Sequence, residues 1–394
     1  MNQSNERTFS FNNEIVGDQL YDICIIGAGP GGSFAAKCAA KKGYKVILIE
    51  KEKLSPNGRY KACGGAMAWE LVEELEYPQE RISRIIQSLV LHHTDGERYE
   101  KKAKGAVVWR SDLDLFLTEQ AIQTGAICIE NCSLKSISKP SEKKEWNFDS
   151  DFYTIETTKG WIKSKYVIAA DGVYSRTLKL LNWSKFSPSA LVLTITKEIK
   201  IDPEKIGSIL GKEEIHLFFG IKNLIPLGYA WLFPKSDAVS VGWGNNLSTL
   251  VNTKQELHRY WSMPMTSQTL QNGTEISEKA HLIPVEVRPK IYEDGIFAVG
   301  DAGGFVDPIS GKGIPYAMLS AKHAIESIKA GEQKGKINEL GEIYMKRLNR
   351  EFLTMFRYKK ELRSRIFAGE ENLKHFLELW QMNRSSEIVL KKLL

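Results

Sequence analysis

The chain has 394 residues, 42% of them hydrophobic and 26% charged, and a formal net charge of +6. That length exceeds one simple core and suits two interleaved or successive domains, and the composition is that of an ordinary globular protein rather than a fibrous, disordered or membrane-embedded one. The charge permits an anionic substrate or an acidic membrane surface without demanding either, and nothing in it calls for nucleic acid.

In chain order, residues 1–18 are polar and mixed, lack the basic-then-apolar pattern of a secretory signal, and read as a flexible tail on a cytoplasmic protein. Residues 21–50 form one unit: an apolar strand YDICIIG, a glycine turn, a small-residue helix ended by Gly43, and a second strand YKVILIE. Residues 70–77 read as a helix, and LVLHHTDGERYEKK as a hairpin turning at Asp95-Gly96. SDLDLFLTEQAIQTG reads as a helix with Ser111 as its N-cap, and AICIEN as a strand. KPSEKKEWNFDSD is a charged loop; FYTIETTKGWIKSKYVIAADG then reads as two short strands and a buried one. From about 186 to 290 the pattern is mostly strands, with one helix near 253–262. GIFAVGD returns to a fully apolar strand, GIPYAMLSAKHAIESIKAG is a helix, and the chain from about 338 is helical.

Five cysteines (Cys24, Cys38, Cys63, Cys128 and Cys132) make no CxxC pair and no zinc spacing, and their odd number argues against a disulfide framework. His92 and His93 alternate on a strand and point to opposite faces, so no metal is expected.

Gly27-Ala28-Gly29-Pro30-Gly31-Gly32 follows a strand and opens a helix, and Glu50 ends the next strand. In that context GxGxxG signals a dinucleotide. Gly27 makes the tight turn, Gly29 lets a pyrophosphate reach the backbone, and Gly32 lets helix and strand pack closely. Glu50 can accept both ribose hydroxyls and would repel a 2′-phosphate. FAD and NAD both fit to this point. Downstream, Asp301 sits at the carboxyl end of an apolar strand, where it could bind ribitol hydroxyls, which NAD lacks. PISGKGIP then opens a helix whose positive end, with Gly311, Gly313 and Ile314, would face a flavin's pyrimidine edge.

These segments, with AADGVYSR (Ala169 to Arg176), resemble the FAD-binding segments of the group containing p-hydroxybenzoate hydroxylase. Within that group, KACGGAM and YAWLFPKSDAVSVGWG (Tyr229 to Gly244) resemble geranylgeranyl reductases, over about residues 20–330. The resemblance implies an α/β fold: a Rossmann-like FAD-binding domain from residues 19–75, 105–185 and 290–335. An antiparallel-sheet substrate domain is inserted as 76–104 and 186–289, and 336–394 form a C-terminal helical region. It implies FAD contacts from Lys61, Cys63, Gly64, Arg110 and Asp171, though Arg110 reads equally as a salt-bridging arginine and Asp171 as a turn residue.

Tyr229, Trp231 and Phe233 share one strand face, which is either sheet core or a pocket wall ending at Pro234; Phe218 and Phe219 could extend the cleft. An isolated polyprenyl double bond cannot simply accept a hydride from flavin N5. Protonation must accompany it through a cation-like state that aromatic faces stabilise and water would quench. Cys63, expected beside Arg59 and Lys61 in a loop with Gly64 and Gly65, is a proton donor or a small lining residue. Without a second GxGxxG, electrons come from a transient donor, a nicotinamide or a ferredoxin-like carrier. The helix around residues 345–369 is either core-packed with a basic face or a surface for anionic lipid. The expected activity is saturation of geranylgeranyl chains. A monooxygenase or halogenase on the same fold and a non-catalytic prenyl-lipid carrier are the alternatives.

Overall fold

The computed structural model describes residues 15, 19–54, 58–93, 96–139, 151–220, 227–250 and 252–382. The charged loop at 140–150, the hairpin tip at Thr94 and Asp95, and all but one residue of the tail lie outside them. The first unit is β1 (Leu20–Ile26), α1 (Pro30–Lys41) and β2 (Val46–Ile49). Then come β3 (Ala66–Ala68), α2 (Trp69–Glu74), β4 (Arg84–His92), β5 (Arg98–Val107), α3 (Arg110–Gln123), β6 (Ile127–Ile129) and β7 (Leu134–Ser138). They are followed by β8 (Tyr153–Thr157), β9 (Gly160–Ala169) and α4 (Arg176–Leu180). The next stretch is β10 (Leu191–Lys200), α5 (Pro203–Leu210), β11 (Glu214–Phe218), β12 (Tyr229–Pro234) and β13 (Ala238–Asn246). It ends with α6 (Thr253–Trp261), α7 (Pro264–Asn272) and β14 (Thr274–Pro284). Last come β15 (Tyr292–Glu293), β16 (Ile296–Ala298), α8 (Ile314–Lys334), α9 (Leu340–Leu348), α10 (Thr354–Ile366) and α11 (Glu370–Gln381).

Two sheets result. The first runs β15-β16-β9-β1-β2-β6, parallel from β16 to β6, with β7 and β8 joined to β9. Its strands are buried on both sides, as a parallel sheet between helices requires, and Ile23, Ile25, Ile47 and Phe297 are fully buried. The second runs β14-β10-β13-β12-β11-β4-β5-β3. On one face α5, α6 and α7 cover Phe218, Ala230, Leu232, Val241 and Trp243. The other face looks toward the nucleotide-binding sheet.

Several local expectations are corrected. The helix expected over 70–77 stops at Glu74, because Glu76 takes φ 50° and turns the chain out. Ser111 is not a cap: α3 starts at Arg110 after an extended Trp109. The strands expected from 160 to 169 are one, half-exposed at Trp161 and fully buried by Ile168. β3, within the 19–75 stretch, pairs with β5 and belongs to the second sheet. A π-helical turn at Asn349–Leu353 joins α9 to α10. Leu348, Phe352, Phe356, Leu362 and Ile366 are buried, so this helical stretch packs its apolar stripe inward.

Candidate active site

The glycine turn is tight for a physical reason. Gly27 has φ +100° and a Cβ there would sit 2.6 Å from the Ala170 carbonyl oxygen; at Gly32 it would sit 1.8 Å from the Gly27 oxygen. At Gly29 the space is open except for Arg59 Nη2, 3.4 Å from such a Cβ. No side chain caps the start of α1, so its first N–H groups, with Pro30 at the first position, are left for a ligand. Glu50 is buried; its carboxylate accepts the Ala28 N–H at 2.8 Å and pairs with Arg59 Nη1 at 2.9 Å. Arg59, which also lies 3.8 Å from Asp114, thus stands over Gly29 of the turn. The sequence reading put Arg59 beside Cys63; its nearness to Glu50 is a tertiary fact that no local spacing reveals.

A second uncapped helix start, α8 at Gly313 and Ile314, faces the same region. Asp301 accepts Lys61 Nζ at 2.8 Å and lies 3.9 Å from His281 Nε2. Burial opposes charge on this carboxyl, but Lys61 and His281 hold it well below the usual carboxylate range. Asp171 spends both carboxylate oxygens inside its own turn, on Ser175 Oγ at 2.5 Å and on Thr177 N and Oγ1 at 2.9 Å. The chemistry of this set suits a dinucleotide: backbone N–H groups free at two helix starts, a carboxylate that could accept ribose hydroxyls, and an arginine over the glycine turn.

The thiol loop lies between this cradle and the second sheet. Gly65 takes φ +78° against the Val108 carbonyl, where a Cβ would come within 2.1 Å. Its N–H donates to Cys63 Sγ at 3.4 Å. The Arg110 guanidinium is close enough to the sulfur to interact with it electrostatically. Arg110 is buried and held by Asp114 through Nη2 at 2.9 and 3.1 Å; burial works against its charge, and Asp114 more than offsets that. The cation at the thiol is therefore Arg110, while Arg59 and Lys61 are ion-paired with Glu50 and Asp301.

Across the loop stands β12. Cross-strand pairing puts Tyr229, Trp231 and Phe233 on one face, opposite Gly244, Gly242 and Ser240 of β13. The small partners make room: a Cβ at Gly242 would lie 1.9 Å from the Trp231 ring. Ring centroids are 6.0 Å apart for Tyr229–Trp231 and 6.5 Å for Trp231–Phe233, one continuous aromatic row. Gly64 touches its end, since a Cβ there would lie 2.2 Å from Phe233 Cδ2. At the other end the Tyr229 hydroxyl donates to the Ser310 carbonyl at 2.7 Å, and a Cβ at Gly311 would lie 2.7 Å from that hydroxyl. Burial pushes the Tyr229 phenol up.

Phe219 extends the row, 5.4 Å from Tyr229, and leads to Phe367 at 6.5 Å. Phe218 does not: one residue earlier on the strand, it turns to the helix-covered face and stacks on His92 at 4.6 Å. Two contacts from α10 went unseen in the sequence. Lys359 pairs with Asp307, whose carboxylate accepts the Ile309 and Ser310 N–H groups at 3.0 Å. Arg363 Nη2 donates to the Leu227 carbonyl at 2.6 Å. Among the described residues no group of His, Cys, Asp and Glu is disposed to hold a metal, and all five cysteines are free thiols.

Comparison with known proteins agrees with this architecture. Residues 22–130 match the FAD dependent oxidoreductase family. The chain is 30% identical over 330 residues to the digeranylgeranylglycerophospholipid reductase of Methanocaldococcus jannaschii, covering 80% of this chain and 79% of that one. It is 27% identical to the chloroplastic geranylgeranyl diphosphate reductase of Nicotiana tabacum, over 80% of this chain and 67% of the relative. A geranylgeranyl bacteriochlorophyll reductase-like protein of Thermoplasma acidophilum has the same fold, with TM-score 0.80, 22% identity and 95% of each chain covered. A flavin-dependent brominase shares the fold at TM-score 0.70 and 17% identity, with 95% of this chain and 93% of that one covered. The cofactor is FAD, and with a relative 30% identical over 80% of this chain and 79% of its own, the chain belongs to the geranylgeranyl reductase family of FAD-dependent oxidoreductases.

Proposed function

We propose that this enzyme saturates isolated C=C bonds in geranylgeranyl chains of isoprenoid lipids. One observation carries the reading: the thiol loop packs directly on an unbroken aromatic row, at Gly64 against Phe233, with the flavin cradle on its other side. Bound and reduced, FAD supplies the hydride. The protein supplies the rest. Trp231 and Phe233 present faces that stabilise positive charge developing at the tertiary carbon. The row, closed by Phe219 and Phe367, keeps water from that carbon. Tyr229, with its hydroxyl committed to Ser310, fixes β12 against the loop that leads into α8. Cys63 Sγ holds the proton for the other carbon. Lys61, Asp301, Arg59, Glu50 and Arg110 orient the cofactor, with Gly311, Gly313 and Ile314 forming the helix start that faces it.

An external donor, a nicotinamide or a small electron carrier, re-reduces the flavin. No described helix is long and apolar enough to cross a membrane. Lys346, Arg350, Arg357, Lys360 and Arg365 are exposed along α9 and α10 and suit contact with anionic lipid, from which a prenyl substrate is drawn.

The test is anaerobic: photoreduced holoenzyme is mixed with a digeranylgeranyl phospholipid and the products are weighed by mass spectrometry. Mass gains of two hydrogens per reduced bond are expected. Unchanged lipid would overturn the reading, and hydroxylated or halogenated products in a parallel aerobic mixture would assign the oxygen chemistry instead.

A further inference from the structure

Beside the thiol loop lies a charged cluster that the proposed chemistry has not yet used. Glu198 of β10 is fully buried on the face that carries the aromatic row, paired across to Ser240. Its carboxylate accepts Lys235 Nζ at 2.6 Å and Ser240 Oγ at 2.6 Å, and it also accepts the Tyr60 hydroxyl. Lys235 follows Pro234 at the end of the row, is 1% exposed, and sits 3.9 Å above the Trp109 ring. A buried ion pair seldom adds stability that an apolar pair of the same volume would not give, so its retention here asks for another reason.

Position supplies one. Tyr60 is three residues before Cys63 and Lys235 two after Phe233, which touches Gly64. The thiol is close enough to interact electrostatically with Tyr60 and with Lys235. Tyr60 is half-buried and so links the closed pair to solvent. The other charged and titratable groups facing the cluster are Arg110 and Lys279 at Tyr60, Asp237 at Lys235, and Arg110 and Tyr229 at Cys63.

We propose that Tyr60, Glu198 and Lys235 form a buried proton store that recharges Cys63 after each double bond is reduced. The inference rests on Cys63 being the proton donor in the function proposed above. The balance is simple. Reduced FAD gives a hydride to one alkene carbon and is oxidised by two electrons. The S–H bond breaks as its proton adds to the other carbon, so two C–H bonds replace the π bond. The thiolate takes a proton from the cluster, and the cluster regains one from water through Tyr60. Once the external donor has re-reduced the flavin, the next double bond of the chain meets a thiol that is already recharged.

The experiment uses the FAD-loaded protein and its Tyr60→Phe, Glu198→Gln and Lys235→Met variants. First, the pH dependence of Cys63 alkylation by iodoacetamide is followed by mass spectrometry on the oxidised enzyme. Removing the anion should move the midpoint down in Glu198→Gln, and removing the cation should move it up in Lys235→Met, each by about half a pH unit or more. Second, anaerobic turnover of a digeranylgeranyl phospholipid with excess dithionite is followed by product mass, and re-oxidation of the reduced flavin by dioxygen is timed at 450 nm. Tyr60→Phe and Glu198→Gln should leave the first bond's reduction in place and slow the later ones about tenfold or more, while re-oxidation by dioxygen stays within about twofold. Unmoved alkylation midpoints overturn the proposal, as does equal slowing with lipid and with dioxygen, which marks a merely structural cluster. Tyr60→Phe, which loses one half-exposed hydroxyl, decides the matter if a buried-charge variant fails to fold. If the unmodified reduced enzyme is not re-oxidised by the lipid, the proposed function itself fails and takes the proton store with it. Normal lipid turnover in all three variants sinks the store alone.

Discussion

Gly64→Ala isolates the contact between the thiol loop and the aromatic row. The added Cβ would lie 2.2 Å from Phe233 Cδ2 and 2.6 Å from Cε2. An ordinary carbon–carbon contact is about 3.5–4.0 Å, so ring or loop must retreat by about 1.3–1.8 Å. Phe233 is half-buried and can yield in part, which puts the stability cost in the usual overpacking range of about 1–3 kcal/mol. Spread over a chain of this length, that lowers Tm by about 1–4 °C. The functional cost is larger, because displacing a reacting group by about 1 Å costs on the order of a hundredfold in rate. Anaerobic single-turnover re-oxidation by a digeranylgeranyl phospholipid should therefore slow by about that factor while FAD content stays full, since the glycine cradle and Glu50 are untouched. Phe233→Leu in the Gly64→Ala background should recover part of the loss by vacating the ring's edge. A Gly64→Ala enzyme that turns over within about threefold of the unmodified one would refute the reasoning, because the loop and the row would then not act as one site.

Trp231→Ala should keep FAD and fold yet abolish most alkene reduction, as its face is the centre of the row; full turnover by the purified variant would remove Trp231 from the chemistry. Arg59→Ala should weaken FAD binding by about tenfold in titrations of the apoprotein, since it leaves Glu50 and the phosphate position without their cation. His92, beside His216 at 2.9 Å, has its pKa lowered from 6.5 to about 4, by burial first and then by His216. The folded state thus binds fewer protons than the unfolded one between those values, so stability falls as pH drops from 6.5 toward about 4. At about 1.4 kcal/mol per unit the loss is on the order of 3 kcal/mol, and His92→Gln should flatten that part of a Tm-against-pH curve.

The nucleotide half was legible because its signals are local. Gly32 is required by a backbone clash with Gly27 inside the same turn, and Glu50 ends the strand next to them. The row at Tyr229, Trp231 and Phe233 was legible from a period of two; the same period, applied strictly, separates Phe218 from Phe219. What escaped depends on contacts distant in sequence. Thr194, Thr196 and Glu198 alternate like the wet face of a strand, yet that face is closed by the other domain and by the loop carrying Tyr60. Lys61 and Arg59 look like partners of a nearby thiol and instead reach Asp301, 240 residues on, and Glu50. β14, TEISEKAHLIP, is an edge strand with mostly exposed side chains and shows no apolar alternation until its last residues. The segments that became α5 and α7 begin at Pro203 and Pro264, a helix-start signal that the strand-rich surroundings hid.

The grip of α10 on Asp307 and Leu227 bears on how this enzyme can be shortened. Those two bonds join the middle of the helical tail to the Tyr229 end of the aromatic row, and Leu373, Leu377 and Phe367 pack where Phe219 and Tyr229 would otherwise meet solvent. Trimming the chain before α11 would leave the nucleotide-binding core, which α9 and the π-helical turn complete, able to stay yellow but with its oily seam laid bare. Such a truncate would be expected to clump, and to spend its electrons on oxygen rather than on lipid.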